Sequence, residues 1–170
     1  MRKLLLVLIL LTFTACSQNR VISPKEGYAV GEVGDIMQTA WFDFQVDSVV
    51  RIGNQYENYQ AAAGNQFILL TVTIRNNYSE DLNVYLWDFA IFARDGSAFW
   101  LADDLPLANQ FSIDGEAVLT KKAAQTFSFL YEIPEDAVLG RVCFVEQYAS
   151  EDGLSYQQGD VFYVDFELAE

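Results

Sequence analysis

The chain has 170 residues, 52% of them hydrophobic and 15% aromatic, with 24 acidic residues against 10 basic ones and no histidine. Its formal net charge of −14 repels nucleic acid and anionic lipid headgroups, so charge recruits neither as a partner. Without histidine, the usual general base near neutral pH, the common nucleophilic triads and imidazole metal ligands are all missing, which removes most hydrolase designs.

Residues 1–15 open on Arg2 and Lys3 and continue with an apolar stretch from Leu4 to Leu11. That stretch is too short to cross ~30 Å of hydrocarbon as a helix, so it reads as a removable export signal rather than a membrane span. Phe13, Thr14 and Ala15 lead directly into Cys16, and this run resembles the lipobox of bacterial lipoproteins, with Phe13 where leucine is usual. The resemblance implies recognition of Phe13, Thr14 and Ala15 by a signal peptidase, cleavage before Cys16 and acylation of the Cys16 thiol. The expected location is the extracytoplasmic face of a cell membrane, held there by the N-terminal lipid. Loss of Arg2 and Lys3 would deepen the net charge from −14 to −16. With Cys16 acylated, Cys143 has no partner within the chain, so stability must come from the core rather than from a disulfide.

Residues 16–39 read as the lipidated N-terminus and a flexible tether. Pro24, Gly27, Gly31 and Gly34 interrupt the stretch and no apolar period develops. A flexible segment of that length spans roughly 25 Å. Residues 40–170 show no repeat and no low-complexity block, and are taken as one folded unit of ordinary single-domain size.

Within that unit the apolar period is two, which predicts strands. Residues 41–51 alternate Phe42, Phe44 and Val46 with Asp43, Gln45 and Asp47. Residues 56–63 are expected as a loop between glycine–asparagine pairs. Residues 67–75 set Ile68, Leu70, Val72 and Ile74 against Thr71, Thr73 and Arg75, and Asn76, Asn77 and Ser79 follow as turn residues. A strand over 84–93 places Tyr85, Trp87, Phe89 and Ile91 inward. Asp95-Gly96 then predicts a type I′ hairpin with a return strand over 98–101. Residues 126–133 and 161–168 repeat the alternation, with a shorter apolar strand over 141–145 between them. The fold class is all-β, an antiparallel immunoglobulin-like sandwich following the signal peptide and tether. A closed barrel of similar size carries the same patterning.

Three motifs carry a family resemblance: Val72 to Asn76, a strand ending in an Asn turn; Phe89 to Gly96, a Phe-containing strand ending at Asp-Gly; and Phe127 to Asp136, a strand closing in hydrophobic-Pro-acidic. Together they resemble the extracellular immunoglobulin-like domain of unknown function (DUF4352-like, a sandwich of the MPT63 antigen type) common in lipoproteins of Gram-positive bacteria. The similarity covers roughly residues 41–168. It implies a fold and says almost nothing about activity. Lys121-Lys122-Ala123-Ala124 departs from the glycine-containing turn that members often have before the Phe127 strand.

Paired acids such as Asp103-Asp104, Asp114 with Glu116, and Glu151-Asp152 are expected as solvated loop residues in so acidic a chain. Asp114-Gly115-Glu116 lacks the further ligands a calcium loop needs. Cys143, between Val142 and Phe144, reads as an inert buried thiol. No catalytic residue, metal ligand or cofactor is therefore expected. Trp41 and Trp100 lie at strand ends, and Tyr148 and Tyr156 bracket a polar loop. That loop, with 78–82 and 101–116, is where a binding face is expected. The expected function is a non-enzymatic module that binds an envelope or extracellular protein. The alternatives are an inhibitor of an extracellular protease and a weak calcium- or carbohydrate-binding module.

Overall fold

The structure, a computed structural model, describes residues 19–85, 87–101, 116–149 and 155–168. One sheet has the order β1 (Val21–Ile22), β3 (Ile36–Gln38), β4 (Phe42–Gly53), β7 (Asn65–Asn76), β12 (Ala124–Pro134). The second has the order β10 (Ala98–Phe99), β9 (Phe89–Ala93), β13 (Leu139–Ala149), β14 (Tyr156–Asp165), β2 (Tyr28–Glu32). Two small two-stranded pieces accompany them among the described residues: the hairpin of β5 (Gln55–Tyr56) with β6 (Tyr59–Gln60), and the antiparallel pair of β8 (Leu82–Tyr85) with the distant β11 (Glu116–Leu119). Two separate five-stranded sheets make a sandwich, which decides between the two architectures that period-two patterning left open.

The alternation read from the sequence defines the interior. Phe44, Val46, Ile68, Leu70, Val72 and Ile74 from the first sheet meet Phe89, Ile91, Val142, Phe144, Phe162 and Val164 from the second. Phe44 is the hub, with its ring 5.3, 5.5 and 5.9 Å from those of Phe89, Phe144 and Phe162. These edge-on contacts are a favoured arrangement of aromatic quadrupoles. Tyr131 is also fully buried, and its hydroxyl donates to the Phe89 carbonyl at 2.9 Å, so the one polar atom it carries inward is satisfied.

Several expectations are corrected. The stretch expected as a flexible tether is largely structural: residues 21–22, 28–32 and 36–38 are β1, β2 and β3, an edge strand of one sheet and two of the other. Its glycines punctuate turns instead of loosening a linker. Gly27 and Gly34 sit at φ +89° and +93°, where L-residues are strained. Gly31 is pressed so closely against Met37 that an added Cβ would lie 2.8 Å from its Sδ. β1 pairs with β3, and β2 with β14, in parallel, so the sandwich is antiparallel except at these two edges. The edge of β2 is closed at both ends: Lys25 exchanges backbone bonds with Tyr28, and Asp35 bonds the backbone of Glu32 in both directions. That occupies groups which would otherwise template another strand.

The strand expected over 84–93 is broken between β8 and β9. Trp87 is not inward but 49% exposed, stacked on Tyr85 at 5.6 Å and 20°. A turn closed by Asp88 causes the break: Tyr85 N–H donates to Asp88 Oδ2 at 2.7 Å, and Asp88 N–H donates to Tyr85 O at 3.1 Å. Desolvation pushes the Asp88 carboxyl up to about 7, against the opposing pull of the Tyr85 bond. The Asp95-Gly96 hairpin is not type I′. Only Gly96 has positive φ, and Gly96 N–H to Ala93 O with Ala93 N–H to Ser97 O makes a three-residue loop ending in a bulge. Residues 55–60 form the β5–β6 hairpin, and Tyr56 and Ala61 cover Phe67, Leu69 and Leu130 on the outer face of the first sheet. The strand expected over 141–145 runs the full length of β13. At the Lys121-Lys122 turn, Lys122 itself adopts φ +62°.

Candidate binding cleft

The two sheets are staggered. At one end the second sheet runs on: Phe42 of the first sheet packs against Phe144 at 5.2 Å, while β13 continues to Ala149. This end is sealed by Glu146, at the irregularity between Val145 and Gln147. Its buried carboxylate accepts Ala40 N–H and the Tyr148 hydroxyl, each at 2.7 Å. The Glu146 bond, with burial, pushes the Tyr148 phenol up to about 12. Trp41 meets Tyr148 edge-on at 5.0 Å. Tyr148 is therefore half-buried and bonded, whereas Tyr156 is 75% exposed and Trp100 56% exposed.

At the opposite end the first sheet overhangs. There the turn after β2, the irregularity at Asp47 in β4, the β9–β10 turn and the ends of β13 and β14 surround an open cleft of about 1050 Å³. Its charged lining is Glu32, Asp47, Asp165 and Glu167 with Arg94 and Arg141. Gly96 and Gly140 contribute bare backbone, and Val33, Val49, Ala93 and Phe166 an apolar floor. Arg141 is committed: Nη2 lies 3.0 Å from Asp165 Oδ1, and its guanidinium stands 4.9 Å above the Tyr163 ring. Asp165 Oδ1 is shut off from solvent and reaches Arg141 as an ion pair without the alignment of a hydrogen bond. Asp47 is held in a polar ladder across the outer face: Asn19 donates to Gln45, Gln45 to Asp47 Oδ1, and Thr73 to Asp47 Oδ2, all within 2.7–2.8 Å. Arg94 is exposed at the β9–β10 turn, and its stem packs over Gly140, whose added Cβ would meet Arg94 Cγ at 3.2 Å.

Arg20 guards the rim. Its guanidinium forks onto Asp35, Nε to Oδ1 at 3.0 Å and Nη2 to Oδ2 at 2.6 Å, and lies 3.7 Å from Glu32. The Arg20 bond draws the Asp35 carboxyl below the usual carboxylate range despite burial. Ile36 N–H donates to the Arg20 carbonyl at 2.8 Å, so both backbone and side chain of Arg20 are fixed.

Chemically the cleft offers a mixed-charge surface with backbone groups. Ser48 is the single hydroxyl among its described lining, and its neighbour Asp47 is already engaged by Gln45 and Thr73. No group of three His, Cys, Asp or Glu side chains placed to hold a metal ion occurs among the described residues. Cys143 is buried, and burial raises its thiol to about 11, only partly offset by Arg141.

Phe13, Thr14, Ala15 and Cys16 lie outside the described residues, as do Asp103, Asp104, Asp114, Glu151 and Asp152. Glu116 is described and accepts a bond from Asn83 at 3.1 Å. Of the loops expected to bind, only 78–82 is described throughout, and it lies at the sealed end beside Asn76, which bonds the backbone of Glu80 and Tyr78. Sequence reasoning missed the cleft, because its charges come from turns distant in the chain. The one local signal was Asp95-Gly96, which marks the turn that carries Arg94.

Residues 31–103 match the family model of a domain of unknown function, DUF4352, so the resemblance read from the strand motifs holds. Among solved structures, the secreted protein MPT63 of Mycobacterium tuberculosis is similar with a TM-score of 0.58 at 13% identity, over 80% of this chain and 95% of that one. The yjhA protein of Bacillus subtilis gives 0.57 at 13% identity, over 82% and 99%. The ycdA protein of Bacillus subtilis, provisionally described as a lipoprotein, gives 0.50 at 11% identity, over 76% of this chain and 38% of that one. At these identities the likeness is one of fold. No curated protein matches the chain by sequence.

Proposed function

We propose that the protein is a lipid-anchored, extracytoplasmic, non-catalytic binding module whose cleft receives a segment of another envelope protein. The observation that carries this reading is the cleft itself: about 1050 Å³, open, lined by both signs of charge and by bare glycine backbone. Interfaces that select a protein partner combine an apolar floor with such a polar rim. The absence of histidine and the prior engagement of Asp47 speak against turnover. The leader ending in Cys16 supports the anchor, and the secreted and lipoprotein-like structural relatives support a place outside the cytoplasm.

The test is photo-cross-linking in intact cells from position 33, in the cleft lining, and position 79, at the sealed end. Position 33 should trap a recurring envelope protein, and Arg94→Glu with Glu167→Lys should weaken the adduct at least several-fold. Equal trapping from both positions, or indifference to the charge reversals, overturns the cleft as the binding site.

A second reading rests on the exposed Tyr85–Trp87 stack, since a flat aromatic face suits a sugar ring. Titrating tryptophan fluorescence with cell-wall oligosaccharides tests it. A response lost in Trp87→Ala supports the reading, and no response in the unaltered protein removes it.

A further inference from the structure

The six charged side chains that line the cleft are not equally free. Arg141 and Asp165 neutralise each other at 3.0 Å, and Arg141 also covers the Tyr163 ring. Asp47 accepts from Gln45 and Thr73, and Glu32 lies 3.7 Å from Arg20. Arg94 and Glu167 remain, both exposed and neither held by a side-chain hydrogen bond or ion pair among the described residues. Both adjoin Gly140: the Arg94 stem packs over it, and its carbonyl accepts Phe166 N–H at 3.0 Å, one residue before Glu167. An arginine fork is shaped to take a carboxylate in two parallel bonds, and in this cleft that place is open. Once the Arg141–Asp165 pair cancels, the lining keeps the three carboxylates of Glu32, Asp47 and Glu167 against the single guanidinium of Arg94, a net −2 within a molecule of net −14. Such a field draws in cations and turns away acidic chains.

From this we infer that the segment received by the cleft is basic and carries an acidic residue among its lysines or arginines. The acidic side chain pairs with Arg94, and the basic side chains beside it answer Glu167, Glu32 and Asp47. The inference deepens the reading of the cleft as a protein-binding site and rests on it. The two kinds of charge divide the work. The basic residues overcome the repulsion of the acidic surface and steer the approach. The single acid fixes the register, because a segment shifted along the cleft would set a cation against Arg94 and leave its own carboxylate facing Glu167.

The test starts from the adduct formed at position 33. The trapped segment is read by mass spectrometry, made as a fluorescein-labelled peptide and titrated by anisotropy against the full protein in a neutral detergent. It should be net basic with an acidic residue among the basic ones. Replacing that acid by lysine should weaken binding at least about five-fold, and Arg94→Glu should recover most of the loss. Replacing the nearest basic residue by glutamate should weaken binding similarly, and Glu167→Lys should recover it. Arg75→Glu is the control, since it makes the same change of charge at an exposed position of β7 beside Asp43, at the sealed end, and it should recover little. Recovery by Arg75→Glu equal to that by Arg94→Glu shows that net charge alone acts and overturns the pairing. A net acidic segment, or one without any acid, overturns the inference and leaves the cleft standing as the binding site. So do weakened peptides that neither charge reversal restores. Failure to trap any protein from position 33 overturns the reading of the cleft, and this inference with it.

Discussion

Phe44 is where the sandwich should be most sensitive to truncation. Its side chain is 1% exposed and its ring meets those of Phe42, Phe89, Phe144 and Phe162, one from its own strand and three from the opposite sheet. Phe44→Ala removes the ring's transfer free energy and leaves a cavity that four rings held in two hydrogen-bonded sheets can close only in part, which together cost about 3–5 kcal/mol. That is a large fraction of the ~5–15 kcal/mol a domain of this size has in reserve. With a urea m-value of about 2 kcal/mol/M, the midpoint should fall by roughly 1.5–2.5 M. Phe44→Leu keeps most of the volume and forfeits the aromatic contacts, so it should cost about 1–1.5 kcal/mol. Val50→Ala, on the same strand but 44% exposed, should stay within about 0.5 kcal/mol. Equilibrium urea unfolding followed by tryptophan fluorescence measures all three. A Phe44→Ala loss below about 1.5 kcal/mol, or equal to that of Val50→Ala, refutes Phe44 as the inter-sheet hub.

Two further outcomes follow from the turns. Lys122 holds φ +62°, which costs an L-residue roughly 1 kcal/mol. Lys122→Gly should therefore raise the melting temperature by about 1–2 °C, even though the Lys122 Nζ bond to Asn77 O is lost, whereas Lys122→Ala should give no gain by calorimetry. Asp88, with its carboxyl raised to about 7 by desolvation from an unfolded value near 3.9, binds a proton more tightly when folded. Its destabilising contribution is thus absent below pH ~4, builds between about 4 and 7, and is complete above that. Asp88→Asn keeps an acceptor for Tyr85 N–H, so it should match the unaltered protein at pH 4 and exceed it by about 1–3 kcal/mol at pH 8.5. Urea midpoints that stay parallel across that range would contradict it.

Much of the architecture was legible from residue types alone, because a strand's two-residue period is a local property. Phe42, Phe44 and Val46, Ile68 to Ile74, and Phe127 to Ile133 announce their buried face without reference to any partner, and these are the residues that fill the interior. What the local pattern does not carry is which strand lies beside which. Residues 28–32 read as linker because Gly27, Gly31 and Gly34 interrupt the stretch and no apolar period develops, yet β14 beside them supplies the hydrogen bonds that make them a strand. Trp87 follows the apolar alternation, yet the Asp88 turn rotates it out to solvent. The cleft is further still from local signals. Glu32, Arg94, Arg141 and Glu167 lie in turns and near strand ends, and Asp47 at the irregularity within β4, all far apart in the chain, and the stagger of the two sheets brings them around one opening. Composition and period thus determined an acidic, all-strand chain behind an export leader, through forces that act between near neighbours. Pairing within each sheet decided the strand order and with it the opening, because hydrogen bonding between strands joins residues that sequence keeps apart.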